Sequence, residues 1–147
     1  MPRSCVLPQA VLLLLLVTGG CQPSKEAAQE ASTLKPLALL YGQFTGQHLG
    51  QPPKNEAEFK SFIETKGKPL LATFGVASVD DLFTSPRDKK PYVVRYGAVT
   101  GPPGPAGQPV IAYEQEGIGG KRYVASSLGA VDEVDEATLA QLVPGAK

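Results

Sequence analysis

The chain is predicted to fold as an α+β domain, with N-terminal helices packed on a small antiparallel β-meander. Three observations in its 147 residues predict this. Between residues 34 and 63, apolar side chains recur at helical spacing. After Pro86 the pattern changes to short β-branched or aromatic runs separated by glycine-rich turns. Helices followed by strands, without alternation, is the α+β order. An apolar share of 42% supplies a modest core and argues against global disorder, and the length suits one domain with a tail.

Each element has a local reason. Leu34, Leu37, Ala38, Tyr41 and Phe44 lie on one face of a first helix, which Ser32 or Thr33 can cap and in which Pro36 is tolerated because it falls in the first turn. Residues 46–53 break the chain. Asn55 then offers an N-cap with Glu58 at the third helical position, followed by Phe59, Phe62 and Ile63 on one face of a second helix ending near Gly67. Residues 70–74 fit neither period clearly. Ser78 starts a single capped turn through Phe83. Residues 92–96, 110–113, 122–125 and 131–134 read as four strands, and residues 135–142 close the chain as a short helix.

The first thirty residues give an address. Arg3 is the only charged side chain before Lys25, and an unbroken apolar run from Ala10 to Val17 includes five consecutive leucines. As a helix that run spans about 12 Å, far short of the roughly 30 Å hydrocarbon core, so a secretory signal peptide over residues 1–20 is the better reading. Its end, Gly19-Gly20-Cys21, is similar to the lipobox of bacterial lipoproteins, although Thr18 stands where that pattern prefers Leu. Lipidation of Cys21 follows as the expectation. Two or three acyl chains would hold the protein on a membrane, where one gives only marginal binding. Cys5 leaves with the signal, so no disulfide is expected. Residues 21–33 form a lipidated tether with a reach near ~19 Å, and residues 34–147 form the single domain.

The remaining chemistry is sparse. With 14 basic against 14 acidic side chains there is no charge surplus for nucleic acid. His48 sits in a Gly/Gln/Pro loop without a partner in sequence, and Ser126-Ser127 is not embedded in a nucleophile elbow, so no enzyme is expected. Residues 117–122 (GIGGKR) fail as a phosphate loop because Arg122 stands where Ser or Thr would bind magnesium and a strand follows. Asp132, Glu133, Asp135 and Glu136 form the main acidic cluster; without the spaced calcium-loop pattern they are solvated carboxylates first and calcium ligands a distant second. No cofactor or metal is expected. Residues 85–92 (SPRDKKPY) read as a rigid turn in which Arg87 and Asp88 can pair and Tyr92 starts a strand. Residues 101–109 are three G-X-Y triplets, too few for collagen, and read as a stiff polyproline-II loop. Arg87, Asp88, Tyr92, Pro102, Pro103 and Pro105 are therefore the residues expected to make contacts with a partner.

The strings SPRDKKPYVVRYG, VIAYEQEG, GGKRYV and VDEVDEATLAQL resemble planctomycete envelope lipoproteins related to the C-terminal meander of pseudopilins, the prepilin-type subunits of general secretion systems. The resemblance implies one N-terminal helix packed on a small antiparallel sheet. Two departures bear on function. A lipobox-like signal replaces the hydrophobic, Glu-bearing helix that builds pseudopilin filaments, and Leu128-Gly129 stands where the family has Asp-Gly before its last strand. The resulting expectation is an exported, lipid-anchored envelope protein that touches other envelope proteins and performs no catalysis. The alternative is a soluble periplasmic module that binds a small ligand or calcium.

Overall fold

The computed structural model describes residues 32–146. The expected signal peptide, Cys21 and most of the expected tether lie outside the described residues. Helix α1 (Leu34–Gln47) is followed by α2 (Glu56–Phe62), a π-helical turn (Ile63–Gly67), α3 (Lys68–Thr73) and the single turn α4 (Val79–Leu82). Strands β1 (Val93–Val94), β2 (Val110–Tyr113), β3 (Lys121–Ser126) and β4 (Val131–Asp135) form one antiparallel sheet in the order β1-β2-β3-β4, and α5 (Glu136–Leu142) ends the domain. The α+β class is therefore correct.

The helices form where local chemistry allows, with differences in detail. The apolar face of α1 is buried along its length, Pro36 included. Of the two candidate caps, Ser32 serves and Thr33 does not. Thr33 occupies the N-cap without capping through its side chain; instead Ser32 Oγ accepts from the Leu34 N–H at 3.2 Å, and Thr33 Oγ1 donates to the Thr84 carbonyl at 2.9 Å. Asn55 Oδ1 caps α2 by accepting from the Glu58 N–H at 2.9 Å, while the Glu58 carboxylate reaches back to the Lys54 N–H at 2.7 Å. This is a capping box displaced by one residue. Residues 68–73, unassigned from sequence, are helical because a π-turn, which inserts one extra residue per turn, carries the chain past Gly67 without breaking it.

The sheet is covered on both faces. Ile111, Ala112, Tyr123 and Ala125 pack against α1 and the aromatic group Tyr41, Phe44, Phe59 and Phe62. A bulge at Ile111, where β2 gains one residue on β3, turns Ile111 and Ala112 toward the same side. The opposite face, with Val110, Tyr113 and Val124, is covered by Leu139 and Val143 of the C-terminal segment. Each fully buried Leu or Phe contributes roughly 1.5–3 kcal/mol. Two glycines let the layers close. A Cβ on Gly42 of α1 would strike the Ser127 carbonyl, and one on Gly129, whose φ is +77°, would strike the Leu39 side chain. The connection after β3 thus lies directly on the helix. β1 is shorter than the strand expected over residues 92–96: only Val93 and Val94 pair with β2.

Candidate interaction surface

Residues 85–92 are locked into the domain by charge. Glu114, directly after β2, is fully buried. Its Oε1 accepts from the Ser85 hydroxyl at 2.8 Å and its Oε2 from the Tyr123 N–H at 2.9 Å. The Arg87 guanidinium lies 3.9 Å above the Tyr123 ring, with Nε 3.6 Å from Glu114 Oε1 and Nη1 donating to Glu133 Oε1 at 3.1 Å. A buried carboxylate is tolerable only when paired and hydrogen-bonded, and this one is both. Arg87 and Asp88, which their spacing would allow to pair, therefore do not. Tyr92 is buried, its hydroxyl 3.1 Å from both Ser32 Oγ and Thr33 Oγ1, which fastens the start of α1 to the segment before β1.

Asp88 serves the other side of this segment. Its Oδ2 accepts from the N–H groups of Glu116 and Gly117 at 3.2 and 2.7 Å, and its Oδ1 from Lys90 at 3.0 Å. Burial pushes the carboxyl up, but the N–H donors of Lys90, Gly117 and Glu116 outweigh it and hold Asp88 below the ordinary carboxylate value. The glycine-rich loop that fails as a phosphate loop does present N–H groups to an anion. That anion is the chain's own Asp88.

The G-X-Y loop is bent, which corrects the extended polyproline-II expectation. Pro105–Gly107 form a 3-10 turn with Ala106 at φ +52°, closed by a Gly104 N–H bond to the Gln108 carbonyl at 2.9 Å. Pro105 is buried beneath it, whereas Pro102 and Pro103 are exposed. Arg95 fastens the base, donating to the Thr100 carbonyl at 2.9 Å and the Val110 carbonyl at 2.8 Å.

The acidic residues near the C-terminus are spread over separate duties. Glu133 pairs with Arg87, and Glu136 takes Arg122 Nε at 2.8 Å. Asp135 caps α5 by accepting from the Thr138 N–H at 2.8 Å, and the Thr138 side chain together with this N–H holds its carboxyl low. Asp132 is exposed. Among the described residues no three His, Cys, Asp or Glu side chains are grouped as a metal would require. Nor is any described helix long and apolar enough to cross a membrane.

Concave surface surrounds residues 46–53, a loop that reads in sequence only as a break. Two clefts of about 570 and 380 Å³ share Gln51, Pro52 and Ala98 as walls. The larger is lined by Phe44, His48, Leu49, Lys54 and Glu58, the smaller by Tyr41, Val99, Gln108, Pro109 and Ile111. Both volumes fall in the range of ligand sites. The rims are fixed: the Gly97 N–H donates to the Pro53 carbonyl at 2.8 Å, and the Tyr41 hydroxyl to the Arg95 carbonyl at 3.0 Å. Burial pushes the Tyr41 hydroxyl up to about 12, against the pull of Arg95, so it stays a neutral donor. His48 stacks on Phe44 with 3.9 Å between ring centres, and its Nδ1 lies 2.7 Å from the Phe44 carbonyl. A carbonyl only accepts, so Nδ1 carries the hydrogen. The signal that could have marked this surface is Leu49, a large apolar residue in an otherwise polar loop.

No protein-family model, curated protein or solved structure matches this chain.

Proposed function

We propose that the protein is exported and lipid-anchored, and that residues 34–147 act at the cell envelope as a structural or protein-interaction module without catalysis. The observation that carries this reading is the apolar run ending in Gly19-Gly20-Cys21, with the folded domain beginning a short tether later. The order of elements, a long α1 packed on an antiparallel meander, supports a pseudopilin-like domain with the filament-forming helix exchanged for a lipid anchor. Charge neutrality supports proteins, and not nucleic acid, as partners. The exposed Pro102 and Pro103 remain available for contacts, while Arg87, Asp88 and Tyr92 are committed within the domain. Metabolic labelling with an alkyne fatty acid tests the anchor: wild type should carry label and sediment with membranes, and Cys21→Ala should do neither. Equal labelling of both proteins would end the reading.

A further inference from the structure

We propose that the paired clefts around residues 46–53 bind an extended, uncharged peptide segment of a partner protein, with Leu49 as an apolar contact at the rim. The inference rests on the domain being an interaction module and names the surface and the chemistry of its partner.

Leu49 is the first observation. It follows the last turn of α1, where His48 N–H bonds the Phe44 carbonyl and Gly50 N–H bonds the Thr45 carbonyl at 2.8 Å. This is a Schellman ending, and the residue inside it must be left-handed; Leu49 has φ +54°. Glycine is the ordinary occupant, and leucine there is strained. The strain gains no packing, because Leu49 is 95% exposed. Folding alone favours glycine at this position on both counts. The side chain is explained by a contact outside the domain.

Charge narrows the occupant. Among the described residues, the smaller cleft has no charged side chain in its lining, and the larger has only Lys54 and Glu58, of opposite sign. Neither cleft offers a net charge to a phosphate, a nucleotide or a cation, so the complementary ligand is neutral. Gln47, Gln51 and Gln108 each offer a donor and an acceptor, the pair that a peptide backbone presents in return. Pro52, Val99 and Pro109 supply apolar walls for alternate side chains. Placement sets the clefts away from the point where the tether joins. The tether joins the start of α1, and the clefts lie at its far end, about 21 Å along a helix of 14 residues.

The test is to pan a phage library of random dodecapeptides against the full-length protein in detergent. Selected peptides are then titrated against wild type, Leu49→Gly and Ala98→Trp, with the melting temperature of each recorded. The expected consensus is uncharged with alternating apolar positions. Leu49→Gly should melt at or above wild type yet bind about tenfold or more weakly, a combination that a purely structural Leu49 cannot give. Ala98→Trp should lose binding by filling the cleft. A charged consensus, no consensus, or undiminished binding by Leu49→Gly overturns the proposal. So does stronger competition by a peptide of residues 22–31, by a second copy of the domain, or by phosphatidylglycerol–phosphatidylethanolamine vesicles. Peptides that map to Pro102 and Pro103 would overturn the cleft while leaving the interaction module standing, and neither result bears on labelling of Cys21.

Discussion

Glu114 has exchanged every water for the Ser85 hydroxyl, the Tyr123 N–H and the nearby Arg87 guanidinium. Truncation in Glu114→Ala leaves those donors facing an empty, buried space. The expected loss is about 3–5 kcal/mol in urea unfolding, since removing one member of a buried charged group strands the others. Glu114→Gln keeps the shape and should lose clearly less. Asp88 gives a pH signature. Its folded carboxyl lies below the ordinary value of 3.8, so the stability it contributes is present in full above that value and is lost as pH falls below it through the folded value. Wild type should therefore lose urea resistance on acidification more steeply than Asp88→Asn; parallel acid limbs would show that Asp88 contributes nothing. Neither role is legible in the sequence. Glu114 follows Val110-Ile111-Ala112-Tyr113 like any polar residue ending a strand, and its partners stand 29 and 9 positions away. Pairing of β2 with β3 brings Tyr123 to Glu114, and the segment before β1 brings Ser85.

At the scale of elements, what is local was readable and what depends on neighbours was not. Asn55 and Ser78 cap their helices because the bond runs only three residues along the chain. The meander follows from β-branched runs separated by glycine turns. By contrast, residues 68–73 are helical through a π-turn that no period announces. Residues 101–109 bend because burial of Pro105 outweighs the preference of a Pro/Gly string for extension. The contact of α1 with the turn after β3 gives a prediction with opposed terms. Gly42→Ala improves helix propensity by about 1 kcal/mol, yet its methyl group meets the Ser127 carbonyl, and overpacking against backbone costs about 1–3 kcal/mol. We expect net destabilisation of up to about 2 kcal/mol by chemical denaturation. A stabilised Gly42→Ala would mean that the turn yields without cost.

For the whole molecule, the sheet lies between the N-terminal helices and the C-terminal helix, so both faces are committed to the core and partner contacts fall to loops and clefts. The tether joins at one end of α1, and the open clefts and exposed Leu49 lie at the other, an arrangement that suits a module held at a surface and presenting its far side. The proposed anchor is Cys21. The motif that suggests this anchor is local and so readable in sequence, while the cleft is not, because residues 41–52 and 98–111 meet only in the fold. Intact-mass and peptide mass spectrometry of the protein extracted from membranes tests this most directly. The account predicts a mature chain beginning at Cys21, heavier than its sequence by a diacylglyceryl group. A chain that retains Met1, or one that begins elsewhere with Cys21 unmodified or absent, would contradict it.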